Sequence, residues 1–302
     1  MKRLGLLLFV FLVWAATVRA QTAAGKKATI AYLQGLQTKS GGFLPGQPQG
    51  VSGRLVKPSL RATTAAVRAL KYFGGKVPDR KAAQAFIQSC FLKDQGGFAD
   101  THPTLRPDVV STSIGLLAVV DLQMPQEKYT ARGVKYLEEH VRSFEDIRIA
   151  AAALEAVHKR PARADAWLKQ LVKLRNEDGT FGEGSGAARF TGGAVVTILR
   201  LGGKVAGKEE VLKTLRAGQR KDGGFGKEDA TGSDLETCYR VVRAFVMLKK
   251  KPADVLALRR FVAKCRNQDG GYGVAPGQSS SAAATYFAGI ILHWLEEIPA
   301  RK

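Results

Sequence analysis

Histidine, cysteine, methionine and tryptophan are all scarce in this chain: four, three, three and three among 302 residues. Three cysteines with no Cys-x-x-Cys pair exclude a disulfide framework, so burial of apolar side chains has to hold the fold. An odd count leaves at least one thiol unpaired. Cys90 and Cys265 stand at equivalent places just ahead of two glycine-rich turns, which marks them as packing residues. Acidic residues are short as well: 26 Asp and Glu oppose 47 Lys and Arg, for a net charge of +21. No G-x-x-x-x-G-K-[ST] phosphate loop occurs. No stretch alternates with period two, so no strand is expected.

The one long apolar run lies at the N-terminus. Lys2 and Arg3 precede an apolar stretch from Leu6 to Val18, and Val18-Arg19-Ala20 carries small residues at the key places of a cleavage site. The run falls short of the ~20 residues that span a bilayer comfortably. Residues 1–20 therefore read as a signal peptide, and the expected location is secreted or periplasmic. An uncleaved N-terminal membrane anchor is the alternative. Residues 21–302 read as one domain. Losing Lys2, Arg3 and Arg19 would take the net charge from +21 to +18.

What the chain has in quantity is glycine, 33 residues, much of it in one recurring motif. Asp222-Gly223-Gly224-Phe225 is echoed by Asp269-Gly270-Gly271-Tyr272, Asp178-Gly179-Thr180-Phe181, Gln95-Gly96-Gly97-Phe98 and Ser40-Gly41-Gly42-Phe43. The aromatics stand at 43, 98, 181, 225 and 272. A period of roughly 45 residues signals an array of one supersecondary unit. The interval from 98 to 181 spans nearly two periods, so a copy without its signature is expected near Arg142-Ser143-Phe144. Adjacent glycines admit positive φ, the Asp can bond its own backbone two residues on, and the aromatic can fold back as a plug.

Each repeat holds two helices separated by Gly or Pro breakers. One class is apolar or small: 60–72, 109–120, 147–157, 191–201, 236–248 and 282–295. The other is amphipathic and basic: 81–91, 128–141, 164–174, 209–219 and 255–265. Helices with little charge on any side are buried, and those basic on one side face water. The expected architecture is all-α, an α/α toroid (barrel) of about six hairpins with apolar inner and basic outer helices. The basic faces serve solubility or an anionic surface or polymer. No interleaved aromatics mark a nucleic-acid platform.

These features resemble the α/α toroid of protein prenyltransferase β subunits and squalene-type cyclases, over nearly all of residues 21–302. The resemblance rests on the five glycine-aromatic corners, on Cys238-Tyr239, which looks like the Cys-Tyr pair of the prenyltransferase zinc helix, and on Pro276-Gly277 with 285–289, which look like the segment around its last zinc ligand. The geranylgeranyl-transferring branch, type II β subunits, is the nearest.

The resemblance implies a zinc site made by an Asp, a Cys two residues on and a distant His. Cys238 matches the Cys. Glu236 occupies the Asp place, with Asp234 as a substitute, and Ala284 occupies the His place. Glu236 and Cys238 are thus vestigial metal residues; no cofactor is expected, with zinc the sole candidate. The family's diphosphate clamp falls on Thr191 before Gly192-Gly193, and on Ala230 and Ser233. Arg189, Thr191, Tyr239, Arg240 and Arg243 are the residues expected at an anion-binding mouth. There the inner helices would start together and pool the partial positive charge of their unpaired N–H groups. Read without the resemblance, Glu236 and Arg240 form a helical i,i+4 pair, and Cys238 points to another side of the helix, into the core.

The expected function is an exported prenyltransferase-like toroid with eroded zinc and diphosphate sites, a binding or scaffold module for an apolar or anionic ligand. The alternative is an active prenyl (geranylgeranyl) transferase β-subunit-like enzyme. That family works as heterodimers, and the sequence names no partner subunit. A cyclase would need an Asp-x-Asp-Asp acid motif, which is absent. A toroidal lyase would need a base, for which His102 is the loose candidate.

Overall fold

The computed structural model describes residues 22–47, 56–100 and 106–297. Residues 1–20, expected to be a signal peptide, and His102 lie outside the described residues. Twelve α-helices account for most of the described chain: α1 (Ala23–Gln34), α2 (Leu60–Phe73), α3 (Arg80–Ser89), α4 (Val109–Asp121), α5 (Thr130–His140), α6 (Phe144–Ala156), α7 (Ala164–Lys173), α8 (Ala187–Arg200), α9 (Lys208–Ala217), α10 (Leu235–Met247), α11 (Val255–Lys264) and α12 (Ala282–Glu297).

The even-numbered helices form the inner ring. Each packs on the next, and α12 packs back on α2. The odd-numbered helices lie outside, and basic residues such as Lys81, Arg132, Lys135, Lys169 and Lys213 are exposed on them. The all-α toroid with six hairpins is thus the observed architecture. The α1 helix was missed in the sequence: it carries its charge only at Lys26 and Lys27, and precedes the first corner. Caps set the helix starts. Ser59, Asp108, Ser143 and Asp234 each accept a backbone N–H from their helix's first turn, which satisfies one of the orphan donors there.

The corners join each outer helix to the inner helix that follows. Asp178, Asp222 and Asp269 accept the backbone N–H two residues on, from Thr180, Gly224 and Gly271, at 2.9–3.0 Å. Phe43, Phe98, Phe181, Phe225 and Tyr272 are buried to within 4 %, each burial worth roughly 1.5–3 kcal/mol. Gly115 on α4 is required by this plugging: a Cβ there would lie 2.3 Å from the Phe98 ring. The copy without its signature sits at the expected place. A three-residue link joins α5 to α6, where Ser143 and Asp146 form a capping box and Phe144 opens the helix instead of plugging a corner. One expectation needs correction. Phe91–Leu92 and Gly97–Phe98 pair as a two-residue antiparallel hairpin at the second corner, too short for any alternation to show in sequence.

All inner helices start at the corner end. Their first N–H groups are handed around the ring: Leu60 donates to Asp100 O, Leu235 to Val274 O and Ala282 to Pro45 O, each at 2.8 Å. The last of these closes the circle. Thr29 Oγ1 on α1 adds a second tie across the seam, donating to Gly270 O at 2.8 Å.

Candidate functional site

The ring encloses a cavity of about 360 Å3, within the size range of small-molecule sites. Side chains from all six inner helices line it. The middle is apolar and aromatic. Tyr239 is its hub, stacked on Trp294 at 5.5 Å between centroids and in contact with Phe287 at 5.2 Å and Tyr286 at 5.9 Å. Ile114, Leu117, Ile149 and Ala152 face it.

Arginines set the electrostatics. At the corner end, Glu236 Oε1 receives Arg189 at 3.0 Å and Arg240 at 2.8 Å, and Arg240 also grips Glu145 at 2.7 Å. Arg148 joins Glu145 at 2.9 Å. Burial would raise both carboxyls, but Arg189 and Arg240 around Glu236, and Arg240 and Arg148 around Glu145, outweigh it and hold them below the usual carboxylate range. At the opposite end, Arg200 and Arg243 share Glu155, at 2.9 and 3.6 Å. Arg68 faces Asp121 at 3.5 Å and covers the Tyr286 ring at 5.1 Å. Burial pushes up the Tyr239 phenol, yet Arg200, Arg68, a hydrogen bond with Tyr286 and Arg148 together bring it below its ordinary value; Tyr286 is driven well above its own, by burial first.

The structure separates the residues at the metal positions. Cys238 Sγ is fully buried and accepts the Phe225 backbone N–H at 3.2 Å. Burial pushes its thiol well up, the wrong direction for a thiolate ligand. Glu236 turns to the arginines. Asp234 caps α10, accepting from Thr237 N and Oγ1 at 2.8 Å. Ala284 is buried in the first turn of α12. These donors face three different ways and do not fit a shared zinc ion. Among the described residues, no three His, Cys, Asp or Glu side chains stand together as a metal-holding group. The i,i+4 pair of Glu236 with Arg240 and the inward Cys238 are as the residues alone indicated.

Of the expected mouth residues, Arg189 and Arg240 stand together at the corner end, joined through Glu236. Tyr239 lies in the aromatic middle and Arg243 at the far end. Thr191 does not face the mouth: it is buried in a corner, where Oγ1 accepts the Phe181 N–H at 3.0 Å and pairs with Phe181 O at 3.0 Å. Sequence reasoning missed Arg68, Arg148, Arg200, Tyr286 and Trp294. Charged residues seven apart on otherwise small-residue helices were the available signal for Arg68 and Arg148.

No curated protein matches this chain. Among solved structures, protein geranylgeranyltransferase-I of Candida albicans, complexed with GGPP, superposes with a TM-score of 0.60 at 15 % identity, over 77 % of this chain and 83 % of that one. A type II terpene cyclase variant from Scytonema, in complex with geranylgeranyl dihydroxybenzoate, gives 0.60 at 10 % identity over 92 % and 97 %. The ent-copalyl diphosphate synthase of Streptomyces platensis gives 0.50 at 17 % identity over 89 % of this chain and 55 % of that chain. At such identities these likenesses concern the fold. The sequence pattern of the prenyltransferase alpha-alpha toroid domain matches residues 3–109, 74–144 and 127–301, so with its closed ring, repeated glycine corners and lined central cavity the chain belongs to the prenyltransferase α/α-toroid family.

Proposed function

We propose that this toroid is a binding module for an amphiphilic ligand and not a prenyl-transferring catalyst. The apolar body lies against Tyr239, Tyr286, Phe287 and Trp294, and an anionic head faces the inner-helix N-termini with Arg189 and Arg240. The carrying observation is the cavity itself, apolar in the middle and ringed by guanidinium groups. Catalysis by a metal-bound thiolate is disfavoured by the commitment of Cys238 to the Phe225 corner. Cyclisation begun by a protonating carboxyl is disfavoured at Glu145 and Glu236, whose arginine partners keep them ionised. The N-terminal Lys2-Arg3 start and apolar run support an exported protein that meets its ligand outside the cytosol. The active geranylgeranyl-transferring reading is favoured by the GGPP bound in the Candida albicans neighbour.

Calorimetric titration of the domain with geranylgeranyl diphosphate, paired with elemental analysis for zinc and an assay for transfer to a peptide thiol, separates these. The expected result is saturable binding with neither zinc near one equivalent nor transfer. Stoichiometric zinc with transfer would establish the enzyme, and absence of saturable binding would remove the binding role for this ligand.

A further inference from the structure

Three inner helices repeat a charged residue seven positions on, and every member lines the cavity: Arg61 and Arg68 on α2, Arg148 and Glu155 on α6, Glu236 and Arg243 on α10. Seven residues advance about 10 Å along a helix. Because these helices start at the same end, the residues fall into two charged belts about 10 Å apart, with the Tyr239–Tyr286 aromatic middle between them. The belt near the corners is the anionic-head site already described. The far belt belongs to no such assignment.

Positive charge exceeds negative in the far belt. Arg68, Lys71, Arg200 and Arg243 meet only Asp121 and Glu155. The inner-helix C-termini at that end carry partial negative charge and offset some of the excess. They do not satisfy every guanidinium donor: among the described residues Arg243 Nε is buried without a hydrogen-bond acceptor, and Arg68 Nε, also buried, has only the Asp121 carboxylate at 3.5 Å, a state that costs free energy in a protein interior. Arg68 and Arg243 also lie over the Tyr286 and Trp294 rings, at 5.1 and 5.2 Å, so both cations border the apolar space.

We propose that the far belt is a second anion subsite, and that the occupant is a dianionic amphiphile: two carboxylate- or phosphate-type groups joined by an apolar chain or ring spanning about 10 Å. A planar carboxylate suits the guanidinium fork. This deepens, and rests on, the amphiphile-binding reading above.

Decanedioate, whose extended chain suits the belt separation, is titrated against decanoate, with hexanedioate and hexadecanedioate as length controls. Decanedioate is expected to bind roughly 10- to 100-fold tighter than decanoate, with weaker binding at both control lengths. R200Q should bring the two ten-carbon ligands to similar affinity while leaving decanoate binding within about twofold, and R243Q should narrow the same gap. Circular dichroism confirms that each variant folds, and the wild-type length series is informative even if one does not. Equal affinity of decanedioate and decanoate would show the far belt to be internal ion pairing and overturn the proposal, leaving single-headed binding intact. Failure of both to bind would overturn it together with the reading on which it rests.

Discussion

The backbone N–H of Phe225 points at Cys238 Sγ, 3.2 Å away, and the four other corners repeat the arrangement with threonine. Thr63 accepts from Phe43 at 2.9 Å, Thr112 from Phe98 at 3.0 Å, Thr191 from Phe181 at 3.0 Å and Thr285 from Tyr272 at 3.1 Å. Cys238 is therefore the fifth member of a structural series, and Thr191 is another. Both residues that sequence matching placed in chemistry serve the corner instead.

Cys238→Thr should keep the fold and leave the urea midpoint equal to wild type or above it, since a hydroxyl is the better acceptor. Cys238→Ala leaves the Phe225 N–H buried and unpaired, and should cost about 1–3 kcal/mol. Equilibrium unfolding of the two variants checks this; equal loss in both would break the analogy with threonine. All three cysteines are buried and free, so thiol reagents should label them only on unfolding.

Glu236 and Glu145 sit where an anionic head would lie, as built-in counter-ions to Arg189, Arg240 and Arg148. Glu236→Gln takes the carboxylate partner from Arg189 and leaves Arg240 paired with Glu145. Affinity for inorganic diphosphate, read by calorimetry, should rise about tenfold, while the melting temperature without ligand falls. Unchanged affinity would place the anion elsewhere.

The same two carboxylates predict the acid response. Their folded-state values lie below the ordinary one, so they stabilise the fold above about pH 4.3 and cease to do so as pH falls through the lowered values. The melting temperature of the wild type should decline more steeply in mild acid than that of the Glu145→Gln, Glu236→Gln double variant. Parallel profiles would mean that the pairs contribute nothing to folding.

How far the sequence could be read follows from what each signal encodes. The Asp-Gly-Gly-Phe corners were legible because positive φ, the Asp turn and the aromatic plug each demand particular residues, and all three recur in Asp222-Gly223-Gly224-Phe225. The inner helices were legible because the sides that pack on neighbouring helices admit only apolar or small residues. The cavity's arginines were not, because Arg68, Arg148 and Arg200 lie on three different inner helices, 52 or more positions apart in the chain, which only ring closure brings together. The acceptor role of Cys238 was illegible for a related reason: a motif match reports residue type, whereas that role shows only once Phe225 is seen beside it.

A positive-φ glycine in a corner, Gly223, and one at the C-cap of α2, Gly74, should differ sharply in tolerance. Gly223 has φ +94°, and a Cβ there would lie 2.3 Å from Ala257 O on the next outer helix; Gly74 has φ +77° with nothing within 4 Å. Both substitutions by Ala carry the positive-φ penalty of about 1 kcal/mol. Gly223→Ala adds a backbone clash that must move α11, and should lose at least about 2–3 kcal/mol in total. Urea unfolding of the two variants gives the comparison, and equal losses would mean that the corner yields freely.

Tyr239 offers a spectroscopic view into the cavity. Burial opposes its ionisation, and Arg200, Arg68, the Tyr286 hydrogen bond and Arg148 favour it more strongly, so the phenolate should form in the native protein below the ordinary value of about 10. The linkage runs the other way from a raised group: its stabilising contribution appears above the unfolded value and disappears as pH falls through the folded one. An ultraviolet titration of the native protein should show one of the seven tyrosines ionising early. Tyr239→Phe should remove that step, and an anionic ligand placed among the same arginines should shift it upward. If every tyrosine titrates at or above the ordinary value, the arginines are neutralised by Asp121, Glu145 and Glu155, and the cavity is less positive than its guanidinium groups suggest.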